Sequence, residues 1–358
     1  MASRCTGAGI ASPTRFALYG TGHSHAPGKA RALREHPDVT LVGAYEPDPA
    51  IHDRTRDNDA YAGLHWFDSA DQFLGDPTIE AVCVEGLEGR CAWMAKEAIA
   101  AGKHVWYDKP AGDWDAFRSM VHTARERRLH IQLGYMLRYC TAFMQVSNWL
   151  REGLLGDLYA VRGHMSTSSS EASRGSNGYV GGIAFQLAPH MIDQAVWLFG
   201  ARPQKVTSFL RNDATPNVPS HADNTLVVLE FDGQETGVDT GAYAHRSAKG
   251  MASIDIAHME ASPAARRFEV YGTRGSAIIL EPFEPGTQIR LCLDGERRGY
   301  AKGAQLIDVE PAPRSITFPR EVAGFLATMR GERPADRSLD HELIVEETIH
   351  RASGTLPG

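Results

Sequence analysis

The sequence is poor in cysteine and has no long apolar run. Its 358 residues include five cysteines, odd in number and scattered, with no Cys-x-x-Cys pair, so we expect free thiols in a reducing compartment. No window approaches the apolar length that crosses a membrane. Residues 1–14 lack the apolar segment of a secretion signal. We therefore expect a cytoplasmic protein with no membrane partner.

Excess positive charge is also missing. The net charge is −7 and no Lys/Arg-rich run stands out, which argues against a nucleic-acid partner or an anionic membrane surface. The length is typical of two domains, and the 42% hydrophobic content is enough for a sizeable core. The partner is therefore expected to be a small molecule.

Closely spaced glycines follow the first apolar run. The segment Phe16–Tyr19 leads into Gly20-Thr21-Gly22-His23-Ser24-His25 and then into a helix-compatible stretch. This order predicts a strand, a tight turn and a helix whose N-terminus faces a pyrophosphate. The predicted cofactor contacts in the turn are Gly20, Gly22, His23, Ser24 and His25.

Two features of this turn leave alternatives open. His25 replaces the third small residue of the usual dinucleotide fingerprint. His23 and His25 also form a His-x-His pair that could ligate a metal. No cysteine partner lies nearby, however, and backbone N–H groups are the usual contribution of such a loop. No metal is therefore predicted.

An acidic residue ends the second predicted strand. The segment Thr40–Tyr45 is followed by Glu46, where a carboxylate can accept both ribose hydroxyls of an adenosine and repel a 2′-phosphate. NAD is thus favoured over NADP. Arg54 and Arg56 are close enough in sequence to leave that preference open, and Glu46 as a solvated strand-end acid is the alternative interpretation.

The element pattern changes along the chain. Strands alternate with helices up to residue 138, which predicts an α/β Rossmann domain over residues 14–138 with a doubly wound parallel sheet. Beyond it, an apolar helix at 183–199 is followed by successive strand signals, including one at 236–244. Residues 139–358 are therefore predicted to form an α+β domain with an open, mostly antiparallel sheet. The C-terminal helices are candidates to pack back on the first domain.

Several short motifs occur in a fixed order. Together they resemble the Gfo/Idh/MocA family of nicotinamide-dependent sugar and cyclitol oxidoreductases over almost the whole chain. Besides the N-terminal glycine turn, the motifs are Ala101-Gly102-Lys103-His104-Val105, Asp108-Lys109-Pro110, Tyr135-Met136-Leu137-Arg138-Tyr139, Gly181-Gly182 with His190 and Asp193, Gly272-Thr273-Arg274-Gly275-Ser276, and Phe325 to Gly331.

Lys109 and His190 are the candidate catalytic residues. Lys109 ends a strand at the carboxyl edge of the sheet, where ligands bind in doubly wound folds and an ammonium can stabilise an alkoxide. The resemblance implies that His190 is a general base, a role suited to imidazole near neutral pH. The alternatives are a surface lysine before a proline turn and a satisfied core histidine.

The sequence departs from the family pattern at three places. Gln186 stands one helical turn before His190, where the family commonly has Asp. Asp108 replaces the family's Glu beside the nicotinamide. Glu85 opens a loop in which the family tends to have Thr-Pro. The resemblance implies cofactor contacts from Glu85, Asp108 and Lys109, and substrate contacts from Tyr135, Arg138, Gln186 and Asp193.

Three functions are compatible with these residues. The leading interpretation is NAD-dependent hydride transfer from a secondary alcohol of a sugar, glycoside or cyclitol. The second is redox-neutral glycoside cleavage through transient oxidation and elimination. The third is a nucleotide-binding module without catalysis, suggested by Gln186 and the altered Glu85 loop. The resemblance also implies a homodimer or homotetramer formed through the open face of the second sheet.

Overall fold

The structure is a computed structural model that describes residues 12–87, 89–168, 182–218, 221–234, 241, 249–280, 283 and 288–357. The predicted strand at 236–244 lies outside these residues except for Gly241. Gly181 of the Gly-Gly motif also lies outside them.

The first sheet has six parallel strands in the order β3-β2-β1-β4-β5-β6. This order reverses between β1 and β4, which is the point where doubly wound sheets bind dinucleotides. The predicted fold class is confirmed. The strands are β1 (Thr14–Tyr19), β2 (Val39–Tyr45), β3 (His65–Trp66), β4 (Ala81–Val84), β5 (His104–Tyr107) and β6 (Ile131–Leu133).

Five helices connect these strands. Asp48, Ser69 and Asp113 each cap a helix by accepting a backbone N–H bond. Between β2 and β3 the chain forms a short helix that ends at Thr55 and a separate 3-10 turn at Asp59–Tyr61. The helices are α1 (Ala26–Glu35), α2 (Pro49–Thr55), α3 (Ala70–Gly75), α4 (Cys91–Ala100) and α5 (Trp114–Arg127).

Within the described residues, the second sheet has eight strands in the order β14-β13-β12-β11-β7-β10-β9-β8. Of the strand pairs that the structure describes in this sheet, only β7–β10 is parallel, so the sheet is mostly antiparallel, as predicted. The sequence did not predict β14, an edge strand with little buried surface. The strands are β7 (Leu158–Met165), β8 (Lys205–Arg211), β9 (Asn224–Asp232), β10 (Lys249–Ala257), β11 (Arg266–Gly272), β12 (Gly275–Ile279), β13 (Gln288–Leu293) and β14 (Gly303–Asp308).

The described residues form four further helices. They are α6 (Thr141–Arg151), α7 (Ile183–Phe199), α8 (Arg314–Met329) and α9 (Leu339–Ala352). Helix α7 is almost wholly buried, which explains its apolar sequence. Helix α8 packs on the first domain, where the rings of Phe16 and Phe325 lie 5.3 Å apart. Among the helices of the described residues, none has the length and hydropathy needed to cross a bilayer.

Candidate active site

Glycine shapes the turn between β1 and α1. Gly20 has φ +82°, and a Cβ there would lie 2.7 Å from the backbone of Gly86, so a larger residue does not fit. Gly22 and the exposed Ser24 lie in the same turn. Helix α1 starts after His25, whose side chain makes no capping bond. The Ala26 N–H donates to the carbonyl oxygen of His23 at 3.1 Å and Pro27 has no N–H, so the helix offers an anion mainly the positive end of its dipole. These features fit the pyrophosphate of a dinucleotide.

Glu46 follows β2 and reaches back to this turn. Its Oε2 accepts hydrogen bonds from the backbone N–H of Thr21 at 2.6 Å and from its hydroxyl at 3.1 Å. Its Oε1 accepts from the backbone N–H of Asp48 at 3.1 Å. These bonds fix a carboxylate beside the glycine turn, where it fits ribose hydroxyls. Arg54 and Arg56 are exposed.

Five ionisable side chains form a buried charge cluster beneath the turn. The Lys29 ammonium lies 2.5 Å from Glu85 Oε1 and 3.2 Å from Asp108 Oδ2. His25 Nδ1 lies 2.7 Å from Asp108 Oδ2, and His23 Nδ1 lies 3.2 Å from Glu85 Oε2. The turn, the end of β4 and the end of β5 are thus joined by charge-assisted hydrogen bonds.

Lys29 and Asp108 stabilise each other in their ionised forms. Burial alone would lower the pKa of Lys29, but Asp108 and Glu85 outweigh it, so this pKa lies well above its usual value. Burial alone would raise the pKa of Asp108, but Lys29 and His25 hold it well below the usual range. Lys29 therefore neutralises carboxylates that would otherwise repel a pyrophosphate at the turn.

The same cluster contains a candidate set of metal ligands. One ligand atom from each of His23, His25 and Asp108 lies within 4.8 Å of the other two. The Lys29 ammonium, however, already contacts Asp108 and Glu85. A divalent cation would have to displace that ammonium or tolerate its charge, which disfavours a metal at this position.

Lys109 and His190 lie next to this cluster. Lys109 follows β5, and its ammonium donates to the carbonyl oxygen of Gln186 at 3.0 Å, one turn before His190 on α7. The charges of Asp108 and His25 also act on His190. The fold thus brings both predicted catalytic residues to the same edge of the first sheet as the glycine turn.

His190 is neutral in this environment. Burial, followed by the nearby Lys109 charge, holds the pKa of His190 well below its usual value. Its Nδ1 is buried and has no hydrogen-bond partner among the described residues. The Tyr135 ring lies edge-on, with its centroid 6.2 Å from that of His190. Tyr135 is fully buried, so it forms a wall beside the imidazole.

Two family models match most of the chain. Residues 14–135 match the oxidoreductase family with an NAD-binding Rossmann fold, and residues 143–278 match the GFO/IDH/MocA C-terminal domain. The chain belongs to the Gfo/Idh/MocA family. It is accordingly an oxidoreductase with an NAD-binding Rossmann domain, as the motif order predicted.

Similar members of the family carry mostly general names. The chain is 28% identical to the uncharacterized oxidoreductase YdgJ of Escherichia coli over 311 residues, which covers 78% of this chain and 82% of that protein. It is 24% identical to the trans-1,2-dihydrobenzene-1,2-diol dehydrogenase of Macaca fascicularis, with 80% of this chain and 81% of that protein covered.

Solved structures of the same fold align over nearly the whole chain. GenD2 from gentamicin A biosynthesis, solved with NAD, has a TM-score of 0.75 at 19% identity and covers 99% of this chain and 97% of its own. A candidate myo-inositol dehydrogenase from Sinorhizobium meliloti 1021 has a TM-score of 0.73 at 19% identity, and the alignment covers 96% of this chain and 97% of that one.

Two residues predicted to bind substrate instead bond to each other. In this Gfo/Idh/MocA protein the Arg138 guanidinium donates to both oxygens of Asp193, at 2.9 and 3.0 Å. His341 Nε2 lies 2.9 Å from the same carboxylate. Arg138 and Asp193 are both buried, and the Arg138 charge holds the pKa of Asp193 below its usual range against the effect of burial. This geometry favours a structural role for Arg138 and Asp193, which explains their presence in the motifs without a contact to substrate.

Sequence reasoning missed Lys29 and His341. The sequence did contain a signal for Lys29. Ala26, three residues earlier, and Leu33, four residues later, place Lys29 on an apolar face of the helix. A lysine on such a face requires a buried anionic partner. No comparable signal marked His341, because its partner Asp193 is 148 positions away.

Proposed function

We propose that this protein oxidises a secondary alcohol of a sugar, glycoside or cyclitol. The observation that carries the proposal is the position of Lys109 and His190 beside a glycine turn that fits a dinucleotide. Lys109 donates to the carbonyl of Gln186 on the helix that carries His190. The two residues are therefore held together at the carboxyl edge of the sheet, where ligands bind.

The proposed chemistry separates the hydride from the proton. When bound, NAD supplies the acceptor for the hydride that leaves the alcohol carbon. The hydroxyl proton passes to His190, whose lowered pKa keeps its imidazole neutral and able to act as a base. The Lys109 ammonium stabilises the developing alkoxide. The dehydrogenase names of similar proteins support this reaction class.

The test is a substrate screen followed by two substitutions. Candidate polyols, beginning with myo-inositol, are incubated with NAD, and NADH formation is followed by absorbance. With an active substrate, Lys109→Ala and His190→Ala should each lower kcat about 100- to 10,000-fold and leave NAD binding nearly unchanged. The exposed residues Lys96 and His122 provide matched control variants, Lys96→Ala and His122→Ala.

The screen also separates the alternatives. Glycoside cleavage detected by chromatography without net NADH would replace the dehydrogenase by the redox-neutral reaction. NAD binding without any turnover across the panel would favour a binding module. Unchanged kcat in both catalytic variants would remove Lys109 and His190 from the mechanism.

We also propose that NAD is preferred over NADP. The support is the Glu46 carboxylate, fixed by Thr21 and Asp48 at the end of β2, because its charge would repel a 2′-phosphate. Titration of both cofactors should give tighter binding of NAD, and Glu46→Ala should weaken NAD or reduce the preference. Tighter binding of NADP by the unchanged protein would refute the role of Glu46.

A further inference from the structure

A cleft whose lining includes four arginines lies between α6, α7 and α8. Its volume is about 510 Å³, within the usual range for small-molecule sites. We call it the arginine cleft. Its lining includes Arg138, Arg151, Arg320, Arg333, Met144 and Trp197.

The arginine cleft is separate from the proposed active site. Neither Lys109 nor His190 lines it. Trp197 lies on the same helix as His190, about 10 Å further along the helix axis. Gln186, whose carbonyl accepts from Lys109, lies about 16 Å from Trp197 along that axis. A molecule in this cleft would therefore not occupy the position of the alcohol substrate.

The charges in the cleft are positive. Among the described residues, its lining contains four arginines and a single acid, Asp336. Arg138 is paired with Asp193, and Arg333 with Asp336 at 2.8 Å. Arg320 donates to the carbonyl oxygen of Tyr139 at 2.8 Å, a neutral acceptor. No carboxylate of the described residues lies within ion-pair distance of Arg320, so its charge is not balanced locally.

The walls of the cleft are apolar. The exposed thioether of Met144 and the methyl group of Ala323 face it together with Trp197. Met and aromatic side chains adapt to flat apolar ligands. The Trp197 indole N–H is buried and has no acceptor among the described residues. A guanidinium beside such walls matches a ligand with an apolar ring and an anionic group.

We propose that the arginine cleft is a second binding site, which takes a small organic anion carried on an aromatic or alicyclic ring. The anionic group pairs with Arg320, and the ring lies between Met144 and Ala323. This site is independent of the alcohol oxidation proposed above.

The probe pair is 2-naphthoate and 2-naphthamide, which share ring and shape and differ in charge. Calorimetric titration is done on the full chain with saturating NAD, so that the dinucleotide site is filled. Naphthoate should bind about 10- to 100-fold more tightly than naphthamide, the range expected for a charge-assisted bond. Equal affinity of the two probes, or no binding of naphthoate, would overturn the proposal.

Two variants locate the site. Arg320→Gln should weaken naphthoate binding about 10-fold or more, and Ala323→Phe, at an exposed helix position, should block the cleft without removing a buried contact. Arg118→Gln, at an exposed arginine of α5, is the matched control and should bind as the unchanged protein does. Thermal unfolding confirms that each variant is folded. Unchanged affinity in Ala323→Phe would place the naphthoate elsewhere and refute this site.

Discussion

Lys29 is a fully buried cation whose position depends on two strand ends. Its ammonium contacts Glu85 after β4 and Asp108 after β5, and it lies 4.4 Å from the centroid of the Trp106 ring. A buried charge is tolerated only when its partners are present. Lys29 therefore ties the cofactor turn to the loop that carries Lys109.

Lys29→Met should destabilise the protein strongly. The substitution leaves Glu85 and Asp108 buried without their cation, which typically costs about 3–5 kcal/mol in the free energy of unfolding. Urea denaturation measures the loss, and Lys96→Met, at an exposed lysine, is the control. A loss no larger than that of the control would mean that the histidines alone compensate the two carboxylates.

Gln186→Asp should move the pH profile of the reaction. A carboxylate one turn before His190 favours the imidazolium and raises the pKa of His190, which burial and Lys109 now hold low. A base works only when deprotonated, so the acidic limb of kcat, and with it the pH optimum, should shift to higher pH. The neutral variant Gln186→Asn should cause no such shift. If the acidic limb of the kcat–pH profile does not shift and His190→Ala is still active, His190 has a structural role and is not the base.

At the scale of elements, helix α8 carries a buried acid into the first domain. Glu321 accepts a hydrogen bond from the Trp106 indole N–H at 3.1 Å, and burial raises its pKa from 4.5 to about 8. The folded state then keeps a proton that the unfolded chain releases between these two values. Stability contributed by this group is therefore lost as pH rises through that window.

Glu321→Gln should remove this pH dependence. The amide cannot ionise, and its oxygen can still accept from Trp106. The gain in melting temperature over the unchanged protein should be larger at about pH 8 than at about pH 5. Glu332→Gln, at an exposed acid of the loop after α8, controls for net charge. An equal gain in melting temperature at both pH values would show that burial does not raise the pKa of Glu321.

At the scale of the whole molecule, the outer face of the second sheet carries exposed apolar side chains beside charged ones such as Lys205 and Glu230. Phe209 is 57% exposed, and it pairs across the strands with Leu226, which is 38% exposed. Met251 lies on the same face by strand register and is 52% exposed. We propose that this face joins copies of the chain into a homodimer or homotetramer, because such a patch favours association.

Phe209→Glu should therefore yield a smaller particle in light scattering coupled to gel filtration. A charge placed at an apolar interface costs desolvation free energy on association. Ile316→Glu provides the control, since Ile316 is an exposed apolar residue of α8. A monomeric unchanged protein, or a Phe209→Glu variant of unchanged mass, would refute this interface.

Much of the fold was predicted by local patterns. Alternation of apolar strands with helices predicted the parallel sheet, because the period of apolar residues reports the type of element. The glycine turn and Glu46 were predicted as cofactor contacts because each directly follows a predicted strand. The long helix α7 was predicted at the bounds that the structure gives, Ile183–Phe199, since an apolar segment of that length is buried as one element.

Only the tertiary structure decided which polar residues meet. Arg138 and Asp193 are separated by 55 positions, and the two motifs that contain them give no sign that they bond to each other. The charge cluster joins Lys29 to Glu85 and Asp108 because adjacent parallel strands end at the same edge. The arginine cleft likewise exists only where α6, α7 and α8 converge. The sequence therefore determined most of the elements and the candidate catalytic pair, whereas packing determined the charge partners, because ion pairs depend on distance in space and not on distance along the chain.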